Sequence, residues 1–303
     1  MKTQKIVIVG NGKIGNAILH LLSKSPKDPD KRNFVIDIYD NDNSKNQSGK
    51  TLEECLQDAD FVFFCIPSWH TKQALMDIKP YIKPETILVS VAKGLEASSG
   101  QTIDELIETN LKNAKYALLS GPMFAVEIME NEMSFAILAS KEMGIFEEIS
   151  KLFTGTKLKL EYSKEVHAVA ISAVLKNIYA LIVSMIRVPE RGNNTEGYLC
   201  SKSAGEIIEI MKTLKLNSEI GLGVSGLGDF AATASSKFSQ NRKVGEEIFS
   251  KGKSSVPSEG LISLPSLIQL LGKKSEELPL LSLAEKILIK NKDPKTEIEK
   301  YFV

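Results

Sequence analysis

The chain has 303 residues, of which 43% are hydrophobic and 25% are charged. This length allows two domains, and the composition is ordinary for a globular protein. The 38 basic and 38 acidic residues give a formal net charge of zero, which argues against nucleic acid or a charged membrane surface as the partner.

Short runs of β-branched and aromatic residues in the first half of the chain predict strands of a buried parallel sheet. These runs are Lys5–Val9, Phe34–Asp40, Asp60–Ile66, Thr86–Val91, Tyr116–Leu119 and Phe135–Ala139. Helical patterns alternate with the first of these strands, so we predict βαβ units and a doubly wound sheet.

Beyond about Tyr162, helical periodicity replaces the strand pattern. We predict a loop over Pro189–Thr195, helices over Lys202–Lys215 and Asn241–Ser250, a glycine-rich stretch over Ile220–Asp229, and a turn at Pro257–Gly260 before a further helix. The chain is therefore predicted to have an α/β Rossmann-type N-terminal domain, residues 1–162, and an all-α C-terminal domain, residues 163–303.

Nothing in the sequence indicates secretion, a membrane span or a metal site. The start, MKTQKIVIVG, runs directly into the first strand, and the longest apolar run, Ile178–Ile186, is too short to cross a bilayer. The 3 cysteines and 3 histidines are scattered, so we expect neither disulfides nor a bound metal. We expect a cytoplasmic protein without an integral membrane segment.

The first strand leads into a glycine-rich turn, Gly10-Asn11-Gly12-Lys13-Ile14-Gly15. This G-x-G-x-x-G spacing, between a strand and a helix, lets the backbone approach a pyrophosphate at the helix N-terminus. We therefore predict a dinucleotide site here, the alternative being an ordinary turn. Asp40 ends the second strand. A carboxylate at this position can accept hydrogen bonds from the ribose hydroxyls of the adenosine and repels a 2′-phosphate, so it favours NAD over NADP. The alternative for Asp40 is a loop residue in an acidic turn.

Lys176 is the only charged residue in the apolar segment SAVLKNIYALIVSM. It either extends to the surface or is a partly desolvated acid/base. Two further candidates follow predicted strands, at the sheet edge where ligands bind: Lys93 after the fourth and Gly121 after the fifth. A solvated loop lysine and a simple turn are the alternatives for these two.

Several motifs together resemble the NAD(P)-dependent glycerol-3-phosphate dehydrogenase family. They are GNGKIGNAI, VAKGLE, LSGPMFAVEI, AVLKNIYAL, SGLGDFAAT, SQNRKVGEEI, PSEGL and ELPLLSLAEKIL, and they span nearly the whole chain in the family's order. The resemblance implies interconversion of dihydroxyacetone phosphate and sn-glycerol 3-phosphate with NAD(H), NADP being the alternative coenzyme. It also implies a role in glycerophospholipid metabolism and a homodimer.

The resemblance implies roles for individual residues. Lys176 would be the catalytic acid/base, with Asn177 beside it and Asp229 orienting the lysine. The implied substrate-binding residues are Lys93, Gly121, Thr233, Asn241 and Arg242. The implied cofactor contacts are Gly10, Gly12, Lys13, Ile14, Gly15, Asp40, Lys93, Ala125, Gln240 and Glu259.

The chemistry is coherent, because reducing a ketone with hydride requires a proton for the developing alkoxide, and a lysine can donate it. Burial lowers the pKa of a lysine, and a nearby carboxylate such as Asp229 raises it. Three positions depart from the family pattern: Gln240 replaces an arginine, Met123 replaces a serine, and Ser201-Lys202-Ser203 replaces Thr-Arg-Gly. Two alternatives stay open, a reductase of another hydroxy acid or ketone (ketopantoate-type or 3-hydroxyacid) and a non-catalytic nucleotide-binding relic.

Overall fold

The computed structural model describes residues 3–24, 34–189, 192–236 and 239–303, and these residues form two compact units. The first unit takes in the described residues of Met1–Ala92 and Ile103–His167. The second unit takes in Lys93–Thr102 and the described residues of Ala168–Val303.

As far as it is described, the first unit is built on a seven-stranded sheet. Its strands are β1 (Gln4–Val9), β2 (Phe34–Tyr39), β3 (Phe61–Phe64), β4 (Ile87–Ser90), β5 (Lys115–Ser120), β6 (Ser134–Ala139) and β7 (Leu158–Ser163). They lie in the order β2-β1-β3-β4-β5-β6-β7, and each neighbouring pair is parallel except β5 and β6. Since β1 has β2 on one side and β3 on the other, the topological switch point lies at β1, where such sheets bind ligands.

Helices cover both faces of this sheet, as the sequence predicts for a doubly wound fold. They are α1 (Lys13–Lys24), α2 (Leu52–Leu56), α3 (Ser68–Ile78), α4 (Ile103–Asn110), α5 (Ala125–Met129) and α6 (Met143–Leu152). Val7 and Ile8 are successive residues of β1, so their side chains point to opposite faces, and both are fully buried. The predicted Rossmann-type fold is confirmed.

The strand β7 is absent from the sequence-based prediction. Its residues LKLEYS alternate between buried or half-buried and exposed positions, with Lys159 and Glu161 exposed. Such alternation is typical of a half-buried strand at the edge of a sheet, whereas the central strands β3 and β4 are buried at every position. The predicted strands were identified by runs of consecutive apolar residues, and β7 contains no such run.

The second unit is helical wherever the structure describes regular elements in it. Its helices are α7 (Val166–Arg187), α8 (Gly192–Thr213), α9 (Ser218–Leu222), α10 (Asp229–Ser235), α11 (Gln240–Lys251), α12 (Glu259–Leu271), α13 (Pro279–Leu288) and α14 (Pro294–Tyr301). The first residues of α7 belong to the first unit. One turn of π-helix, Val224–Gly228, leads directly into α10, and a 3₁₀ segment, Gly272–Glu277, follows α12.

Helix α7 is the core element of this unit, and its residues from Ala168 to Ile186 are buried almost without interruption. Among the described residues, it is the one helix long and apolar enough to pass a length-and-composition test for a membrane span. Its most apolar stretch is 94% buried inside the protein, as in the core helix of a globular domain.

The prediction of a loop over Pro189–Thr195 is wrong at its carboxyl end. Helix α8 begins at Gly192, ten residues before the predicted helix start at Lys202. The first turns of α8 read GNNTEGY, which has low intrinsic helix propensity. No residue of this stretch is buried, and Glu196 within it forms an ion pair with Arg187 of α7.

A buried carboxylate joins three helices of the second unit. Glu206 of α8 is 7% exposed, and its side chain accepts a hydrogen bond from the Tyr179 hydroxyl of α7 at 2.8 Å. It also accepts the backbone N–H groups of Leu280 and Leu281, at 2.7 and 3.1 Å, in the first turn of α13. Burial raises the pKa of Glu206, although these donors oppose the shift. The carboxylate therefore caps a helix that would otherwise bury unpaired N–H groups.

We predict that Glu206→Ala lowers the free energy of unfolding by about 2–4 kcal/mol, because it leaves two buried N–H groups and a tyrosine hydroxyl without an acceptor. Urea denaturation followed by far-UV circular dichroism measures this loss. The matched control is Glu209→Ala on the exposed face of α8, where only a Lys212 ion pair at 3.3 Å is lost and a change within about 0.5 kcal/mol is expected. Equal losses in the two variants would contradict the capping role.

Candidate functional site

The predicted glycine-rich turn directly follows β1 in the first unit. Gly10 has a φ of +101°, and its backbone N–H donates to Tyr39 O at 2.8 Å. A Cβ atom at Gly10 would lie 2.6 Å from Cys65 O, and one at Gly15 would lie 2.0 Å from Gly10 O. Both positions therefore exclude any side chain.

Gly12 differs from the other two glycines of the turn. A Cβ atom there would have no protein atom within 4 Å, so the backbone at Gly12 faces open space at the start of α1. Exposed backbone and a helix N-terminus suit a pyrophosphate, which a side chain at this position would keep at a distance. The residues present thus fit the diphosphate of a dinucleotide. Lys13 and Ile14 form the first turn of α1.

Asp40 fixes the turn from the end of β2. Its Oδ2 accepts the Asn11 backbone N–H at 2.7 Å, and its Oδ1 accepts the Asp42 backbone N–H at 2.9 Å. The predicted ribose-binding carboxylate therefore also has a structural role. Each carboxylate oxygen can accept a further hydrogen bond, so these contacts do not prevent binding of a hydroxyl.

A cavity of about 500 Å³ adjoins this turn. Its lining residues come from the ends of β1, β2 and β3, from the loop after β2 and from α3. They include Gly10, Gly12, Asp40, Asp42, Lys45, Ile66, His70, Gln73 and Asp77. A cavity at the carboxyl ends of the strands beside the switch point is where an α/β sheet binds a nucleotide.

Two predicted residues of the first unit have clear structural roles. A Cβ atom at Gly121 would lie 2.4 Å from Phe135 O, so this glycine lets the segment after β5 approach β6. Ala125 begins α5 and packs at the edge of the first unit's apolar core. Neither lines the 500 Å³ cavity.

The second unit brings the predicted catalytic residues together. Lys176 is 7% exposed, and its Nζ lies 3.2 Å from Asp229 Oδ2 and 3.3 Å from Thr233 Oγ1. Asp229 and Thr233 are one turn apart on α10, so both face the lysine from the same side of that helix. The interpretation of Lys176 as a surface-reaching side chain is therefore wrong.

Asp229 binds two lysines with one carboxylate. Lys93 Nζ donates to Asp229 Oδ2 at 2.6 Å, which is the oxygen that also faces Lys176. Burial acts to raise the pKa of Asp229, but Lys176 and Lys93 outweigh it, and the pKa of this carboxyl is lowered. The carboxylate therefore stays ionised although it is 2% exposed.

The surroundings of Lys176 bring the pKa of its amine closer to neutral pH. Burial lowers the pKa of its ammonium group, Asp229 opposes this effect, and the positive charge of Lys93 adds to it. The balance lowers the pKa of Lys176 to about 8. An amine with such a pKa exchanges protons readily near neutral pH, as an acid/base catalyst must.

Asn177 and the start of α12 hold this cluster in position. Asn177 Nδ2 donates to the backbone carbonyl of Lys93 at 2.8 Å, which fixes the segment that carries the second lysine. A Cβ atom at Gly260 would lie 2.4 Å from Asn177 O, so only glycine allows α12 to pack here. Glu259, the preceding residue, is close enough for its charge to favour the protonated form of Lys176.

The remaining predicted residues lie at the start of α11. Asn241 is buried, whereas Gln240 is exposed. Arg242 is also exposed, and its Nε lies 3.1 Å from Glu246 Oε1 on the next turn. Asn241 and Arg242 are consecutive, but the structure shows no hydrogen bond from Arg242 to the lysine cluster.

Sequence reasoning missed several residues of these sites. Lys45, His70 and Asp77 line the first-unit cavity, and the direct ion pair between Lys93 and Asp229 was not predicted. Proximity to strand ends could have identified His70, which follows β3 by a few residues. Among the described residues, no group of three or more His, Cys, Asp or Glu is arranged to hold a metal ion.

Comparisons with known proteins agree with this geometry. A model of the N-terminal part of NAD-dependent glycerol-3-phosphate dehydrogenases matches residues 43–145, and a model of their C-terminal part matches residues 165–299. Together the two models match well over half of the chain.

Relatives and a solved structure extend the match to nearly the whole chain. Glycerol-3-phosphate dehydrogenase (NAD(P)+) of Clostridium botulinum is 27% identical, over 97% of this chain and 96% of that protein. The enzyme of the same name from Teredinibacter turnerae is 26% identical, over 95% and 92%. The crystal structure of glycerol-3-phosphate dehydrogenase from Coxiella burnetii shares the fold, with a TM-score of 0.87 at 20% identity and 99% coverage of both chains.

These matches confirm the resemblance seen in the motifs, and with it an NAD(P)-dependent enzyme. They do not favour the alternative families, the ketopantoate-type and 3-hydroxyacid reductases. The chain belongs to the NAD-dependent glycerol-3-phosphate dehydrogenase family.

Proposed function

We propose that this protein interconverts dihydroxyacetone phosphate and sn-glycerol 3-phosphate with NAD(H), and that Lys176 is its acid/base. Residues 1–162 would bind the dinucleotide, and residues 163–303 would carry the substrate chemistry. The observation that carries the proposal is the buried Lys176 amine, paired with Asp229 and Thr233, with its pKa lowered to about 8.

In the direction of ketone reduction, the protonated Lys176 donates its proton to the substrate oxygen as negative charge develops there. The nicotinamide, when bound, supplies the hydride. Asp229 keeps the ammonium form accessible inside a buried site, because its carboxylate stabilises the positive charge. Thr233 accepts one ammonium N–H and so limits the directions in which the remaining protons point. In the reverse direction the neutral amine accepts the hydroxyl proton.

A protein that binds nucleotide without catalysing a reaction would gain nothing from burying Lys176 with Asp229 and Thr233. A lysine at 7% exposure beside a 2%-exposed aspartate costs desolvation energy that apolar residues of similar volume would avoid, and a catalytic role accounts for keeping the pair. Asn177 Nδ2 donates to the Lys93 backbone carbonyl at 2.8 Å and so joins the Lys93 segment to the same cluster. Absence of turnover in protein that binds NADH would favour the relic.

We predict that Lys176→Met lowers kcat for dihydroxyacetone phosphate reduction by roughly 10²–10⁴-fold, the usual contribution of a general acid. NADH oxidation, followed by absorbance, measures this loss. NADH affinity, measured by fluorescence titration, should stay within about twofold of the wild type. The matched control is Lys212→Met on the exposed face of α8, where no loss of activity is expected. Full activity in Lys176→Met would contradict the assignment.

The pH dependence of reduction should follow the protonation of Lys176. Since the protonated amine is the acid, kcat/KM for reduction should fall as the pH rises through about 8. Asp229→Asn removes the group that raises the pKa of Lys176, so the fall should move to lower pH. Lys93→Met removes a group that lowers this pKa, so the fall should move to higher pH. Shifts of the same sign in the two variants would contradict this electrostatic account.

We infer that NAD is preferred over NADP, with NADP as the weaker coenzyme. Asp40, Asp42 and Asp77 line the first-unit cavity, and among its described lining residues Lys45 carries the one fixed positive charge. Lys45 Nζ lies 2.7 Å from Asp42 Oδ2, and this contact with that of Ser44 lowers the pKa of Asp42 to about 2. The lysine charge is thus neutralised locally, and a 2′-phosphate would meet a cavity with excess negative charge.

We predict that Asp42→Asn lowers KM for NADPH roughly two- to tenfold at low salt, because it releases Lys45 and removes one repelling charge. Steady-state kinetics with NADH and NADPH measures the change. The matched control is Asp77→Asn, which removes the same charge from α3 without releasing Lys45, so its gain should be smaller. Lys45→Ala, added to Asp42→Asn, should cancel most of the gain. Equal gains in the two single variants would contradict the role of Lys45.

A cytoplasmic location, a homodimer and a role in glycerophospholipid metabolism complete the proposal. The first is supported by Cys55, Cys65 and Cys200, which are unpaired thiols, as is usual in a reducing compartment. The other two rest on membership of the family.

A further inference from the structure

A second cavity lies within the second unit, beside the carboxyl end of α7. Its volume is about 560 Å³. The described residues that line it are Ser184, Arg187, Val188, Gly192, Thr195, Glu196, Ala234, Arg242 and Glu246. The chain has four arginines, and Arg32 and Arg191 lie outside the described residues. Both arginines that the structure describes therefore line this one cavity.

The cavity adjoins the lysine cluster through α10. Arg187 Nη1 donates to Ala234 O at 2.7 Å, and Lys176 Nζ donates to Thr233 Oγ1 at 3.3 Å. Thr233 and Ala234 are consecutive, so their Cα atoms lie about 3.8 Å apart. Lys176 and Arg187 also lie on one face of α7, because they are 11 residues apart and this is close to three full turns.

Helix α11 brings the second arginine to the same place. A Cβ atom at Gly245 would lie 2.7 Å from the Ser184 Cβ atom, so α11 packs directly on α7 one turn before Arg187. Arg242 lies one turn earlier on α11, next to the buried Asn241. Two guanidinium groups from two helices thus face a common space.

Each arginine has a carboxylate partner that an anion could replace. Arg187 pairs with Glu196, and Arg242 Nε lies 3.1 Å from Glu246. The side chains of the arginines are 31% and 55% exposed, and ion pairs at such exposure are weak. A phosphate dianion binds a guanidinium through two parallel hydrogen bonds and carries more charge than a carboxylate.

The proposed substrate requires an anion site close to Lys176. In dihydroxyacetone phosphate, one methylene group and one ester oxygen separate the carbonyl carbon from the phosphorus atom. The phosphate must therefore bind within a few bonds of the oxygen that receives the proton. Lys176 and Lys93 both pair with Asp229 Oδ2, so one of their two positive charges is neutralised within the cluster and both ammonium groups already have a partner.

We propose that the 560 Å³ cavity is the phosphate-binding subsite and that Arg187, together with Arg242, holds the substrate phosphate there. This inference rests on the proposed function. When phosphate binds, Arg187 exchanges Glu196 for the dianion and keeps its bond to Ala234, which maintains the guanidinium orientation. Glu196 and Glu246 compete with the anion, so they weaken phosphate binding.

The first test compares two substrates. We expect Arg187→Ala to raise KM for dihydroxyacetone phosphate roughly 10–100-fold, which is the usual loss for a charged hydrogen bond, with a smaller effect on kcat. With unphosphorylated dihydroxyacetone, kcat/KM should change less than about threefold. Arg187→Lys should recover only part of the affinity, because an ammonium group lacks the guanidinium fork. Equal losses with the two substrates would overturn the proposal, since they would indicate that Arg187 only supports the fold.

The second test uses the direction in which KM for dihydroxyacetone phosphate changes when Glu196 is replaced. Glu196→Gln removes the competing carboxylate but leaves Arg187, so KM for dihydroxyacetone phosphate should fall roughly two- to fivefold. If the Arg187–Glu196 pair only stabilises the helices, both variants should raise KM. A rise of KM in Glu196→Gln would therefore overturn the proposal, even if Arg187→Ala unfolds in part.

A binding measurement separates this proposal from the proposed function. Inorganic phosphate, titrated calorimetrically into the NADH-loaded protein, should bind the wild type more tightly than Arg187→Ala and less tightly than Glu196→Gln. This order needs no turnover, so it holds even if dihydroxyacetone phosphate is not reduced. Phosphate affinity that is the same in all three proteins would overturn the subsite, whatever reaction the enzyme catalyses.

Discussion

The second unit depends on one buried carboxylate, Asp229, that pairs with two buried or half-buried amines. Asp229 stays ionised at 2% exposure because Lys176 and Lys93 both contact its Oδ2 atom. Each of the three groups would be costly to bury alone, and removing Asp229 would leave two positive charges without a counter-charge. The cluster therefore joins α7, α10 and the Lys93 segment. Its burial lowers the pKa of Lys176, the charge of Lys93 adds to this effect, and Asp229 opposes it. The same three charged groups therefore affect both the stability of the unit and the protonation of Lys176.

The local sequence explains how these groups meet. Lys176 interrupts an otherwise apolar helix, so the helix cannot be buried unless a partner for the amine is buried with it. The π-helical turn Val224–Gly228 ends directly at Asp229, and α10 then brings Thr233 to the same side one turn later. Such turns occur often at functional sites, because they change the direction in which the next side chains point.

Much of the fold was predictable because most of its strands contain short apolar runs, and the central strands β3 and β4 are buried at every position. The G-x-G-x-x-G spacing and the solitary charge of Lys176 also pointed to the two proposed sites, the turn beside the 500 Å³ cavity and the buried lysine cluster. The strand β7 was missed because it is half-buried and alternating, and the first turns of α8 were missed because their residues have weak helix propensity. Pairings such as Lys93 with Asp229, or Arg187 with Ala234, join residues far apart in sequence, and no local pattern encodes them.

The most direct test of the account is the titration of Lys176 itself. Protein labelled with ¹³C at the lysine ε-carbon can be followed by NMR across the alkaline range, and Lys176→Arg identifies the resonance by its loss. We expect a midpoint near 8 for this resonance, well below the 10.5 of an ordinary lysine. A midpoint at or above 10.5 would show that the amine is an ordinary ammonium group, and it would contradict the proposed role of Lys176 as the proton donor and acceptor.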